Sequence, residues 1–137
     1  MKATLEVINQ MQADGVIGQY AIGGAVGATF YLEPVATKEY IVIANWPVQF
    51  LPSGNALVEE ALAQAIETEV EGLKTRVMTA EHLLAIALQT GRAKDFSRIL
   101  QFIESGAIDA GKLDLILARH ELVAKWQQFE HKFTGNK

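Results

Sequence analysis

Apolar positions near the start of the chain recur at helical spacing. Leu5, Val7, Ile8 and Met11 run up to Asp14-Gly15 and predict a helix over residues 3–13 with a glycine stop. A short strand is expected over Gln19 to Ile22, then a turn at Gly23-Gly24 and a small helix over Ala25 to Leu32 that closes before Pro34. Residues 39–51 are rich in Ile, Val, Tyr, Trp and Phe, with Pro47 interrupting what would otherwise be one long strand, so the expectation is strand, bend, strand. Asn55 suits the N-cap of a helix whose stripe is Leu57, Val58, Ala61, Leu62 and Ala65, and Glu59 and Glu60 favour its first turns.

Further along, Glu67 to Val70 and Leu73 to Met78 flank Glu71-Gly72 and predict a hairpin with a two-residue turn. Thr79 caps a helix over Ala80 to Thr90 that is apolar on nearly every side, which marks it as central to the core, and Gly91 stops it. Three more helices are expected: Lys94 to Ser105, Ala110 to Arg119 after Asp109, and Leu122 to about Lys132, with Gly106 and His120 at the joints. Thr134 to Lys137 is expected to be a flexible tail. The pattern is α+β in one domain over residues 1–137, with a sheet-containing part over 1–78 and a helical part over 79–133.

Several segments resemble, in order, the nucleotidyltransferase superfamily with the DNA polymerase β-like palm, especially its small bacterial, toxin-antitoxin-like members. They are Tyr20-Ala21-Ile22-Gly23-Gly24-Ala25, Ala36-Thr37-Lys38, Pro47-Val48-Gln49-Phe50-Leu51-Pro52, Lys74-Thr75-Arg76-Val77-Met78 and Ala87-Leu88-Gln89-Thr90-Gly91-Arg92-Ala93-Lys94-Asp95. The resemblance implies a mixed sheet flanked by helices and followed by a C-terminal helical bundle. It also implies a nucleotide cleft at the glycine pair, where backbone N–H groups at a helix N-terminus meet a phosphate. By that resemblance the nucleotide-binding candidates are Gly23, Gly24, Thr37, Lys38, Arg92 and Lys94.

Where the family places Asp-x-Asp on its second strand, this chain reads Glu39-Tyr40-Ile41-Val42-Ile43. In a second register, Glu39 to Leu51 is the family's third strand and its continuation, and the second strand and its helix are deleted. Either way the carboxylates between Gly23 and Val58 are Glu33 and Glu39 alone, and Gln49 stands at the third-acid position. A neutral amide and an isoleucine cannot replace hard anionic oxygens around two magnesium ions. The expectation is a degenerate member without catalytic activity, in which Glu39 is the one weak catalytic candidate and no metal or other cofactor is required.

Composition narrows the partners. A formal net charge of −4 gives no general attraction to nucleic acid, and the absence of cysteine excludes disulfides, thiolate metal sites and cysteine nucleophiles. Residues 15–32 carry no charge but contain five glycines, which fits strand, turn and helix better than a membrane span. Without a cationic start and continuous apolar core, the N-terminal segment does not read as a signal peptide, so a cytoplasmic protein with no membrane partner is expected.

Each candidate also has a plain structural reading. Gly23-Gly24 can serve a tight turn and close packing, and Arg92-Ala93-Lys94-Asp95 suits an ordinary helix start. Lys74 and Arg76 alternate on a strand and can form its solvated face. His82, His120 and His131 lack metal-site spacing and read as ordinary histidines. Trp126, Phe129 and Phe133 form an aromatic stripe better suited to core or interface than to bases.

The leading expectation is a non-catalytic assembly module that binds a protein partner or a small ligand in what was the nucleotide cleft. A sheet lacking an internal strand leaves an apolar edge, and a homodimer through residues 39–51 would cover it. Two alternatives stay open. One is a magnesium-dependent transferase of a nucleotide monophosphate that uses Glu39 with Glu59, Glu81 or Asp95. The other is a toxin-antitoxin regulator binding a helical toxin through its C-terminal helices.

Overall fold

The computed structural model describes residues 2–23, 41–43, 46–48 and 54–135, the two short segments among them by backbone alone. Gly24, Thr37, Lys38 and Glu39, and the small helix expected over Ala25 to Leu32, lie outside the described residues. The elements in chain order are α1 (Lys2–Ala13), β1 (Ile41–Ile43), β2 (Trp46–Val48), α2 (Ala56–Ala63), β3 (Ile66–Val70), β4 (Leu73–Val77), α3 (Ala80–Thr90), α4 (Ala93–Ser105), α5 (Ala110–Arg119) and α6 (Val123–Phe129). A π-helical turn, Glu130–Thr134, continues α6. The fold is α+β.

Local signals set most of the boundaries. The Asn55 side chain accepts from the Val58 N–H at 2.9 Å and opens α2, and Thr79 opens α3 by accepting from the His82 N–H at 3.1 Å. At the end of α1, the N–H groups of Val16 and Gly15 reach back to the carbonyls of Met11 and Gln12, with Gly15 at φ 78°. Those two bonds make a Schellman ending. The same pair of bonds closes α5, where Leu122 N–H meets the Leu117 carbonyl and Glu121 N–H that of Ala118. There the left-handed residue is Glu121, at φ 58°, rather than a glycine.

β3 and β4 form an antiparallel hairpin with register Ile66↔Val77 through Val70↔Leu73. Both turn residues have positive φ, Glu71 at 51° and Gly72 at 84°, the geometry that matches strand twist in a two-residue hairpin. The expected strand over Gln19 to Ile22 is reduced to one parallel bridge, Ile22↔Val77. Side chains displace the rest of it: the Tyr20 carbonyl accepts from Arg76 Nη1, and the Tyr20 hydroxyl bonds Asn9 and Thr75. α1 packs on β4, with Leu5, Ile8, Thr75 and Val77 buried.

β1 and β2 pair antiparallel with each other, and Pro47 lies within β2 opposite Val42. Pro47 therefore does not interrupt the strand as expected; the break between strands falls before Trp46. With two residues between the strands, Val42↔Pro47 is the pair that exchanges no ladder bonds, so the missing proline N–H costs nothing there.

α3 is the hub of the main core, in contact with α2, α4, α5 and α6. Leu83, Leu84, Ala85, Ala87 and Leu88 are buried on it, packed in one cluster with Leu57, Ile99, Phe102, Leu113, Ile116, Leu117, Leu122 and Phe129. The last helix is shorter than expected, ending at Phe129 before the π-helical turn. Phe96 approaches Phe129 and Phe133, at ring-centroid distances of 5.8 and 5.2 Å, and Trp126 stacks on Phe129. No helix among the described residues is long and apolar enough to cross a membrane.

Candidate functional site

The densest polar constellation among the described residues surrounds Glu60 on α2. Its Oε1 accepts from Arg119 Nε at 2.7 Å and bonds His120 Nε2 at 3.1 Å; its Oε2 accepts from Arg119 Nη2 at 3.0 Å and bonds His82 Nε2 at 2.8 Å. The four bonds join α2 to α3 and to the end of α5. His82 is 2% exposed and the Glu60 side chain 14%. The carboxyl group falls from an ordinary 4.5 to about 2, chiefly through the Arg119 hydrogen bond, with burial opposing and the two histidine bonds adding to the fall.

The proton on His82 Nε2 follows from the network. Ionised Glu60 can only accept, so Nε2 carries a hydrogen, while Thr79 Oγ1 accepts the His82 backbone N–H and bonds Nδ1 at 2.7 Å. Nε2–H donates to Glu60. The result is a line of carboxylate, imidazole and hydroxyl, the element order of a general-base array. It cannot act as one here, because the ring is sealed from solvent and the threonine oxygen is the cap of α3. Nor can His82 offer a lone pair to a metal, since both ring nitrogens are engaged. Among the described residues, no group of three or more His, Asp or Glu is arranged to hold a metal ion.

The candidate nucleotide-binding residues occupy different elements. Gly23 lies beside the sheet, where an added Cβ would stand 3.0 Å from Met78 Sδ, so close packing alone accounts for a small residue there. Arg92 and Lys94 are exposed at the start of α4. Arg92 donates from Nε to Asp95 Oδ2 at 2.8 Å, and Asp95 also accepts the Arg92 backbone N–H at 3.1 Å, the carboxylate half of a capping box. Asp95 is 1% exposed and lies 3.7 Å from Arg98 Nη1; burial holds the Arg98 guanidinium below its ordinary pKa.

The carboxylates considered as extra magnesium ligands do not converge. Glu59 is exposed on the first turn of α2, Asp95 is engaged at the start of α4, and buried Glu81 accepts the Asp109 N–H at 2.9 Å, joining the starts of α3 and α5.

Three residues, Arg76, His82 and His120, differ from their sequence reading. Lys74 is exposed as expected, but Arg76 turns to the C-terminal end of α2, where Nη2 donates to the carbonyls of Leu62, Ala63 and Ala65 at 2.7, 3.4 and 3.4 Å. A guanidinium there satisfies acceptors that have no intrahelical partner. His82 and His120 are not ordinary isolated histidines either. Their one local signal was position: His82 stands three residues after a capping threonine, and Arg119-His120 ends a helix.

The chain matches no family model, no curated protein and no solved structure.

Proposed function

We propose that this chain is a non-catalytic, nucleotidyltransferase-like assembly or partner-binding module working in the cytoplasm. The observation that carries the reading is that two of the three described acidic residues a transferase would recruit, Asp95 and Glu81, are buried and engaged elsewhere, and that neither shares an element with exposed Glu59. Asp95 accepts the Arg92 N–H at the start of α4, and Glu81 accepts the Asp109 N–H. A buried carboxylate fixed at the start of one helix cannot turn to share a dication with carboxylates held on other elements.

Within this reading, the strand region 39–51 is proposed as the surface through which two copies associate. Titration calorimetry of ATP, CTP, GTP and UTP, with and without magnesium, tests the loss of catalysis. No heat at millimolar nucleotide is expected, whereas magnesium-dependent binding abolished by both Gly24→Val and Lys94→Ala would restore the transferase reading. Light scattering across micromolar concentrations tests the dimer, for which twice the chain mass is expected.

A further inference from the structure

β3 is an edge strand among the described residues, and the hydrogen bonds of β4 fix which of its backbone groups face outward. The Arg76 carbonyl accepts from Ile22 N–H and the Lys74 carbonyl from Asn9 Nδ2, both away from β3. In an antiparallel ladder, residues opposite such positions also direct their N–H and C=O away from the partner. Those residues are Glu67, opposite Arg76, and Glu69, opposite Lys74. Glu67 and Glu69 are exposed, and no described residue bonds their outward backbone groups.

The side chains give this edge a charge. Glu67 and Glu69 share one sheet face, and neither takes part in an ion pair among the described residues. Arg76, the cross-strand neighbour that would balance Glu67, is turned to the end of α2. The opposite face carries Ile66, 49% exposed, with Thr68 and Val70 half-buried.

A second copy of β3 does not fit this edge. Any antiparallel self-pairing through the outward groups of Glu67 and Glu69 sets a glutamate opposite a glutamate, which is destabilising. A strand bearing Lys or Arg at alternate positions with apolar or Thr residues between them fits both faces. β4 is such a strand, with Leu73-Lys74-Thr75-Arg76-Val77 pairing along the other side of β3. We propose that the open edge of β3 binds an extended, basic segment of another protein by strand addition, with Lys or Arg opposite Glu67 and Glu69. This rests on the partner-binding reading and supplies the chemistry of one partner.

The probe is a fluorescein-labelled peptide containing Leu-Lys-Thr-Arg-Val, titrated with the full chain and followed by anisotropy, alongside Leu-Glu-Thr-Glu-Val in the same frame. Saturable binding of the basic peptide is expected, about tenfold tighter than the acidic one, with amide shifts at Glu67 and Glu69. The double variant E67K/E69K should invert the preference, and Glu69→Pro, which removes an outward donor but no bond to β4, should weaken the basic peptide without altering the hairpin's own amides. Equal binding of the two peptides, binding mapped to another surface, or no binding at millimolar peptide overturns the proposal. If that happens while nucleotides also fail to bind, only this edge is withdrawn; magnesium-dependent nucleotide binding abolished by both Gly24→Val and Lys94→Ala would defeat the wider reading whatever the peptides do.

Discussion

Removing the Glu60 carboxylate would leave the Nε2–H of His82 buried without an acceptor. Glu60→Ala is therefore expected to lower stability by about 1–3 kcal/mol, read as a shift in urea midpoint with unchanged slope. The pH dependence has a definite sign. A carboxylate whose folded pKa lies near 2, below its ordinary 4.5, stabilises fully above 4.5 and loses that contribution as pH falls towards 2. Glu60→Gln should therefore differ most from the parent at neutral pH, and the two unfolding curves should converge near pH 2. Equal separation at both ends would show that the charge is not what the cluster uses. The cluster was not readable from sequence because Glu60 meets His82 across 22 residues and His120 across 60, and no local period links positions so far apart.

At the scale of elements, the C-terminal end of α5 offers a direct test. Glu121 adopts the left-handed conformation in a position that glycine fills elsewhere in this chain. Glu121→Gly should relieve a steric cost and raise stability by up to about 1 kcal/mol, partly offset by the greater freedom of glycine in the unfolded chain. Thermal unfolding would record this as a rise of a few degrees, and a fall would mean that the side chain supplies something beyond its backbone conformation. Arg76→Met tests the end of α2: loss of the guanidinium from the carbonyls of Leu62, Ala63 and Ala65 should lower the melting temperature, whereas a merely solvated arginine would leave it unchanged. The helices were legible where one residue type decides the boundary, as with Asn55, Thr79, Gly91 and Asp109. The strand expected over Gln19 to Ile22 was not, because the guanidinium of distant Arg76 takes the Tyr20 carbonyl and the Tyr20 hydroxyl reaches Asn9 and Thr75.

For the whole molecule, the burial pattern makes α3 the element least tolerant of change. Leu84 is fully buried, so Leu84→Ala should cost about 2–5 kcal/mol, enough to unfold a marginal domain at body temperature. Circular dichroism at 25 and 37 °C would separate this from a surface effect. Its all-round apolar sequence announced that central place, because a helix with no polar face has no side to give to water. The candidate site was less legible: Arg92 to Asp95 read as a helix start more readily than as a cleft, and their mutual bonds account for that use.

The attachment of α1 has a consequence for how the chain is made. Lys2 N–H donates to Glu71 Oε2 and Asn9 Nδ2 to the Lys74 carbonyl, links that span 69 and 65 residues. A ribosome releases the N-terminus first, so α1 leaves the exit tunnel long before β4 exists to receive it. Leu5 and Ile8 must wait in water, or on a chaperone, until the hairpin emerges; synthesis, unlike refolding from denaturant, imposes that order.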